Sequence, residues 1–283
     1  MAHPKAYLKR LGVQIDTKPA QLDNRFKASL PPELQEELEE AWSMRSMGME
    51  ALSTLYGIPR TTKQAALLFS HDARRYEKSL AWFDRVATEL DVESILEVGC
   101  GAGFTGGFLK SQSPGRVVSG VEAKENLANI ASELVGAEVV VGDYLQLDPA
   151  SRSDLVICDF GFDLTNLRPS TKPHRTAQFE EFQYCPGCSE DLTPQFEEYI
   201  RAWRSWMCPG GYLAVAGRLT NFGAVLAFGQ AAKRLGMSVI DGLSTVLTTQ
   251  EPGLGRQRFP ALVFVDDGEA RFSAEDAAKI YRR

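Results

Sequence analysis

Two rhythms of apolar and polar positions divide the chain. Up to about residue 92, apolar side chains recur every three or four positions, the repeat of one helix face. Leu34, Leu38, Trp42, Met49, Leu52 and Tyr56 keep this spacing between Pro31-Pro32 and the Gly57 and Pro59 that follow. Those flanks start and stop helices, so one helix is predicted across the stretch. Its early glutamates read as a solvated face that suits the helix dipole. A second helix is predicted after Ser70, where Tyr76, Leu80, Phe83, Ala87 and Leu90 fall on one stripe. Residues 1–30 are weakly patterned. Residues 1–92 are therefore expected to form a helical N-terminal cap, and 93–283 the main domain.

From residue 94 the pattern becomes short runs that are apolar throughout, the mark of strands buried on both faces. Residues 94–100, 116–123, 137–145, 153–162 and 210–219 read as strands, with helical segments at 104–111, 124–135, 194–207 and 221–236. Thr193-Pro194 reads as the N-cap and first residue of the third of these helices. Strands alternating with helices predict an α/β fold, a Rossmann-like and mostly parallel sheet covered on both faces. The chain ends differently. Residues 237–249 and 258–267 are strand-like and joined by "QEPGLGRQ", which predicts an antiparallel hairpin. Residues 163–193 are too long for an ordinary connection and are expected to form a lid.

Composition excludes more than it identifies. The 283 residues are 44% hydrophobic and 24% charged, as in ordinary globular enzymes. The formal net charge is -6 and no Lys/Arg stripe stands out, which argues against nucleic acid as a partner. Neither a signal peptide nor a membrane span is expected, for want of an apolar run of the needed length. Five cysteines, at 100, 158, 185, 188 and 208, suit free thiols in a reducing, cytoplasmic setting.

The candidate chemistry centres on "SILEVGCGAGFTGGFL", residues 94–109. Glycines between a strand and a helix let backbone approach a ligand, and the helix N-terminus offers free N–H groups. Two registers fit. Gly101, Gly103 and Gly106 match the dinucleotide fingerprint, and Glu122 lies 21 positions after Gly101, where a ribose-binding acid belongs. That register predicts an NAD(P)-dependent oxidoreductase, although no hydride-transfer constellation such as Tyr-x-x-x-Lys accompanies it.

In the other register Glu97, Gly99, Gly101 and Gly103 form E-x-G-x-G-x-G, and here the sequence resembles the class I S-adenosylmethionine-dependent methyltransferases. The resemblance continues in order. Glu122 ends the second strand, Gly142-Asp143 closes the third, Asp159 ends the fourth and Pro209-Gly210-Gly211 opens the fifth. The closing hairpin suits that family's seven-stranded sheet. The likeness covers residues 94–219 and extends loosely to 267.

The resemblance implies S-adenosylmethionine as methyl donor. It implies that Gly99, Gly101 and Gly103 cradle the methionine and ribose, with Glu97 supporting the loop. Glu122 would accept hydrogen bonds from the ribose hydroxyls and Asp143 one from the adenine amino group. Tyr144 would pack on the adenine face, core packing being its alternative. Asp159 would touch the cofactor or the acceptor. Its "DFGF" context departs from the Asn-Pro-Pro-Tyr of relatives that methylate nucleobase or glutamine amino groups. The expected acceptor is a small molecule enclosed by cap and lid, with no nucleic acid or membrane partner and a homodimer as one expected assembly. A non-catalytic adenosylmethionine-binding protein would carry the same motifs.

Within the lid, His174 is the general-base candidate, because an imidazole titrates near neutrality. Asp159 is the second catalytic candidate. Arg75 and Tyr76, on the helix before the first strand, are candidates to face the cofactor pocket. Cys185 and Cys188 form C-x-x-C. A zinc site needs two more ligands, and His174 or Cys208 would serve only if the fold brings them near. With no second C-x-x-C, no metal is assigned and a Pro-Gly turn between ordinary thiols is expected.

Overall fold

The computed structural model describes residues 3–44, 49–162, 167–219, 221–251 and 255–283. The apolar runs become β1 (Ser94–Val98), β2 (Val117–Glu122), β3 (Val139–Val141) and β4 (Ser153–Asp159). A small hairpin, β5 (Ala177–Phe179) and β6 (Phe182–Tyr184), precedes β7 (Met207–Ala216). The end of the chain forms β8 (Ser238–Val239), β9 (Thr245–Glu251) and β10 (Gly255–Val265).

The main sheet runs β3-β2-β1-β4-β7-β10-β8, with β9 also paired to β10. The first five strands of this order are parallel, and β10 is antiparallel to β7. This is the expected Rossmann-like sheet with an antiparallel C-terminal hairpin. An eighth strand arises because the outer partner of β10 is broken into β8 and β9, with Asp241 and Gly242 between them. The order turns back beside β1, which lies between β2 and β4. Loops leave in opposite directions at such a switch point and open a crevice at the C-terminal strand ends.

Alternate residues of each strand feed opposite faces. Ile95, Leu155, Ile157 and Ala214 join one core. Leu96, Val98, Val156 and Val215 join the other. The first face is covered by α6 (Ala73–Glu89), α7 (Phe104–Gln112) and α8 (Glu125–Val135), through residues such as Phe83, Phe108 and Ile130. The second is covered by α9 (Pro186–Ser205), α10 (Phe222–Arg234) and α11 (Ala274–Arg282), through Trp203, Phe228 and Ile280. Fully burying one such large side chain contributes about 1.5–3 kcal/mol.

Ahead of α6 lie α1 (Pro4–Leu11), α2 (Pro19–Ala28), α3 (Pro32–Ser43), α4 (Met49–Tyr56) and α5 (Thr62–Leu68). The single helix read between Pro31 and Gly57 is thus two, α3 and α4, and residues 45–48 between them lie outside the described residues. Leu38 and Ala41 of α3 pack with Phe26, Leu30, Leu55, Ile58 and Leu67, a small core of the N-terminal helices themselves. The weak pattern of residues 1–30 conceals α1 and α2 because each is short and buries only two side chains, Tyr7 with Leu8 and Leu22 with Phe26.

The start of α9 is a correction. The helix begins at Pro186, not Pro194, and Cys185 is its N-cap, its sulfur accepting the Cys188 N–H at 3.4 Å. Pro194 lies in the helix interior. The lost N–H would have bonded the carbonyl of Glu190, an exposed residue whose carbonyl water can serve. The preceding Thr193 turns its hydroxyl back to the Ser189 carbonyl at 2.8 Å instead of capping a new helix. The long connection after β4 is accordingly not structureless, since it holds β5, β6 and the first turns of α9. Its residues 163–166 lie outside the described residues. Among the described residues, no helix is long and apolar enough to cross a membrane.

Candidate functional site

The glycine loop leaves β1 at the switch point. Gly99 has φ +61°, and a Cβ there would stand 2.9 Å from the Gly161 Cα. Gly103 has φ +73°, and its Cβ would stand 2.7 Å from the Ala131 Cβ on α8. Both positions are thus small because the chain packs on itself. Gly101, at φ +54°, would bring a Cβ only into ordinary contact with the Phe69 ring at 3.6 Å, and it lines the cavity described below.

Three buried acids surround this loop, and each is held differently. Glu97 accepts the Gly106 N–H at 2.8 Å, satisfying a free amide of the first turn of α7. Burial and then the Asp159 charge push its carboxyl well above the ordinary range. Glu122, at the end of β2, accepts the Gly101 N–H at 2.7 Å on one oxygen and the Lys124 N–H at 2.9 Å on the other. Burial raises it as well, with those amides pulling the other way.

Asp159 ends β4 and is held by three side chains. It accepts from Arg75 Nη1 at 3.1 Å, the Ser79 hydroxyl at 3.0 Å and the Thr105 hydroxyl at 2.7 Å. The acid therefore ties α6 to the start of α7. The Arg75 guanidinium lies over the Tyr76 and Phe160 rings, 4.1 and 4.0 Å from their centroids. Burial opposes its charge, but Asp72 and Asp159 outweigh burial and raise its pKa. Phe160 follows in the left-handed region at φ +59°, an uncommon state for a bulky residue. Its N–H donates to the Ala216 carbonyl at 2.9 Å, and its ring meets Phe259 edge-on at 5.0 Å.

These groups line one cavity of about 680 Å³. Glu97, Gly99, Gly101, Glu122, Asp143, Tyr144 and Asp159 all border it. The opposite wall comes from the N-terminal helices and their connections, with Tyr56, Phe69, Arg75 and Tyr76. Phe69 stacks on Tyr56 and meets Tyr76 and Phe104 edge-on. Asp143 is exposed, and one oxygen accepts the Leu145 N–H at 2.9 Å. Tyr144 is both wall and core. Its hydroxyl donates to the Gly161 carbonyl at 3.3 Å, and its ring packs near Tyr199 and Trp203. Burial raises that hydroxyl.

Two predicted site residues lie elsewhere. Gly103 sits against α8 and does not line the cavity. His174 is exposed and outside the lining, with Nδ1 3.1 Å from Cys188 Sγ. Its donor atoms and those of Cys185 and Cys188 lie within 4.8 Å of one another, whereas Cys208 is on β7. Sequence reasoning missed Tyr56, Phe69, Phe160, Arg218 and Phe259. Phe160 had one signal, its position directly after the strand-end acid. The others reach the cavity only through tertiary packing.

No family model matches the sequence, and no curated protein matches it either. Solved structures of related shape do exist. One is a Pyrococcus horikoshii protein described as a candidate RNA methyltransferase, at 14% identity and TM-score 0.45, over 68% of this chain and 83% of that one. Another is the N-methyltransferase NodS of Bradyrhizobium japonicum with S-adenosyl-L-homocysteine, at 13% identity and TM-score 0.42, over 66% and 86%. TrmN of Thermus thermophilus aligns at 15% identity and TM-score 0.40, over 64% of this chain and 47% of that one. Likeness at this level carries no argument about activity, so the functional reading rests on the sheet order and the cavity.

Proposed function

We propose that this protein transfers a methyl group from S-adenosylmethionine to a small acceptor. The observation that carries the reading is the convergence of the glycine loop, Glu122 and the Asp143-Tyr144 pair on one cavity at the β1–β4 switch point. The cavity volume is in the range, about 300–1,000 Å³, of small-molecule and cofactor sites.

The residues present fit the donor. Each Glu122 oxygen has one backbone N–H and keeps acceptor capacity for a ribose hydroxyl, a charge-assisted bond. Asp143 is exposed enough to accept from an exocyclic amine, and Tyr144 offers a ring beside it. Gly101 admits the ligand near the loop, while Glu97 holds the turn of α7 behind it. Adenosylmethionine would supply an electrophilic methyl on its sulfonium. The protein's task is then chiefly to orient an acceptor in line with it and exclude water.

Asp159 suits positioning better than proton transfer, since Arg75, Ser79 and Thr105 occupy it. His174 lies outside the cavity lining. Phe160 and Phe259, with Arg218 beyond them, favour a compact and partly apolar acceptor. Residues 1–92 would serve as a cap and 163–193 as a lid at the edge of the 93–283 domain. The lack of a Lys/Arg stripe is the argument against nucleic acid, and the related structures give that exclusion no support, one of them being described as a candidate RNA methyltransferase. A homodimer and a cytoplasmic site remain expectations from the sequence.

Calorimetric titration tests the reading. Adenosylmethionine and adenosylhomocysteine are expected to bind, with affinity falling about 10- to 100-fold in Glu122→Ala, as for loss of a charged hydrogen bond. Binding of NAD or NADP alone would overturn it in favour of the Gly101-Gly103-Gly106 register. In this structure the Gly106 N–H is already committed to Glu97. A protein that binds the donor but yields no adenosylhomocysteine with any acceptor would instead be a binding module.

A further inference from the structure

We propose that His174, Cys185 and Cys188 form a binding site for a soft divalent cation, zinc first among them, outside the cavity. The inference does not depend on the methyl-transfer reading. It starts from the β5–β6 hairpin, whose register pairs Ala177 with Tyr184. That pairing brings the chain just before Ala177 beside the chain just after Tyr184. The histidine at 174 thereby meets the C-x-x-C that opens α9.

The meeting is built, not incidental. A Cβ on Gly187, between the two cysteines, would stand 3.2 Å from the Lys172 Cβ, so the incoming loop lies directly on the Cys185–Cys188 turn. The same loop is tied to α9 by Asp191, which accepts from the Ser170 hydroxyl at 2.7 Å and the Thr171 N–H at 3.2 Å. Lys172 reaches Glu190 at 2.6 Å. The Cys188 N–H donates to Cys185 Sγ at 3.4 Å, which fixes the turn between the two thiols.

The donor set specifies the ion. Two sulfurs and an imidazole nitrogen suit zinc and disfavour magnesium or calcium, which prefer oxygen. Bond lengths of about 2.3 Å to sulfur and 2.0 Å to nitrogen place ligands about 3.5–3.8 Å apart in a tetrahedron. The donor atoms here lie within 4.8 Å of one another, with His174 Nδ1 and Cys188 Sγ at 3.1 Å. Small side-chain rotations close the difference. Three protein ligands leave a fourth position for water, and the ion would pin the loop that carries His174 to the first turn of α9.

The test uses the full chain, reduced, stripped with chelator and titrated first with cobalt and then with zinc against a chromogenic competitor. About one ion per chain is expected, with a thiolate-to-cobalt charge-transfer band and tetrahedral d–d bands. Cys188→Ser and His174→Ala should each weaken zinc binding at least about 100-fold, while Cys208→Ser leaves it unchanged. Circular dichroism of each variant shows whether it folds. Cobalt spectra without thiolate bands, or equal affinity in the ligand variants, would overturn the proposal. So would reduced protein that holds less than about one-tenth equivalent of zinc. A chain isolated with Cys185 and Cys188 joined as a disulfide is reduced and titrated again. Failure to bind then overturns the proposal.

Discussion

The ends of β2 and β4 each carry a buried acid beside the same cavity, and the two are built in opposite ways. Among the described residues, Glu122 is held by backbone amides, those of Gly101 and Lys124. Asp159 is held there by side chains, from Arg75, Ser79 and Thr105. A strand-end acid read in sequence looks the same in both places. What separates them is α6, whose Arg75 and Ser79 arrive from 84 and 80 positions away. Amides of its own loop leave an acid available to a ligand, whereas a buried guanidinium and two hydroxyls turn an acid into a clamp.

Removing the clamp should have the largest effect. Asp159→Ala leaves Arg75 buried with, among the described residues, only Asp72, at 3.7 Å, as an ionic partner. Breaking one side of a buried pair costs about 3–5 kcal/mol. Urea unfolding should show that loss, and a double variant with apolar replacements at 75 and 159 should recover much of it. A cost below about 1 kcal/mol would mean that Asp159 is free to serve an acceptor, and the contrast with Glu122 would collapse.

The other acid should show the reverse split. Glu122→Gln keeps an oxygen for the Gly101 N–H and removes a charge that burial disfavours, which offsets the loss of the bond from the Lys124 N–H. Its unfolding free energy should stay within about 1 kcal/mol of the parent, while donor affinity falls at least about tenfold. Equal losses in stability and binding would make Glu122 a second clamp.

How much of this contrast the sequence could reveal depends on where the contacts originate. The strand order, the glycine loop and the positions of Glu97, Glu122, Asp143 and Asp159 follow from local runs and spacing, and all lie at the cavity. Gly99 and Gly103 were legible as glycines but not for the right cause, because Gly161 and Ala131 press on them from distant segments. The clamp on Asp159 needed the packing of α6, which no spacing encodes. Pro194 misled because a Thr-Pro pair carries the same signal at a helix start as in a solvent-facing turn within a helix. His174 was singled out as a base for its titration range and as a zinc ligand only if the fold brought it near, and the hairpin register places it with the two thiols.

Glu97 lies between the two extremes, and its pH response sharpens the comparison by the smallest amount. It is a buried acid that caps α7 through one amide, with no cation paired to it among the described residues. Its folded-state pKa is raised, so the unfolded chain releases this proton first. Any stability that the protonated form provides is complete below the ordinary value of 4.5 and is lost as pH rises toward the folded pKa. Glu97→Gln mimics the protonated form at every pH, since its amide oxygen can still accept the Gly106 N–H. The variant should therefore match the parent near pH 4 and exceed it by a margin that grows with pH, up to about 1.4 kcal/mol per unit until the folded pKa is passed, read from thermal or urea unfolding at pH 4 and pH 8. A gap that does not grow with pH would mean that Glu97 ionises in the folded protein as readily as in the unfolded chain. It would then be a charged group at the cavity, free as Glu122 is to meet a ligand, in place of a neutral cap on the loop.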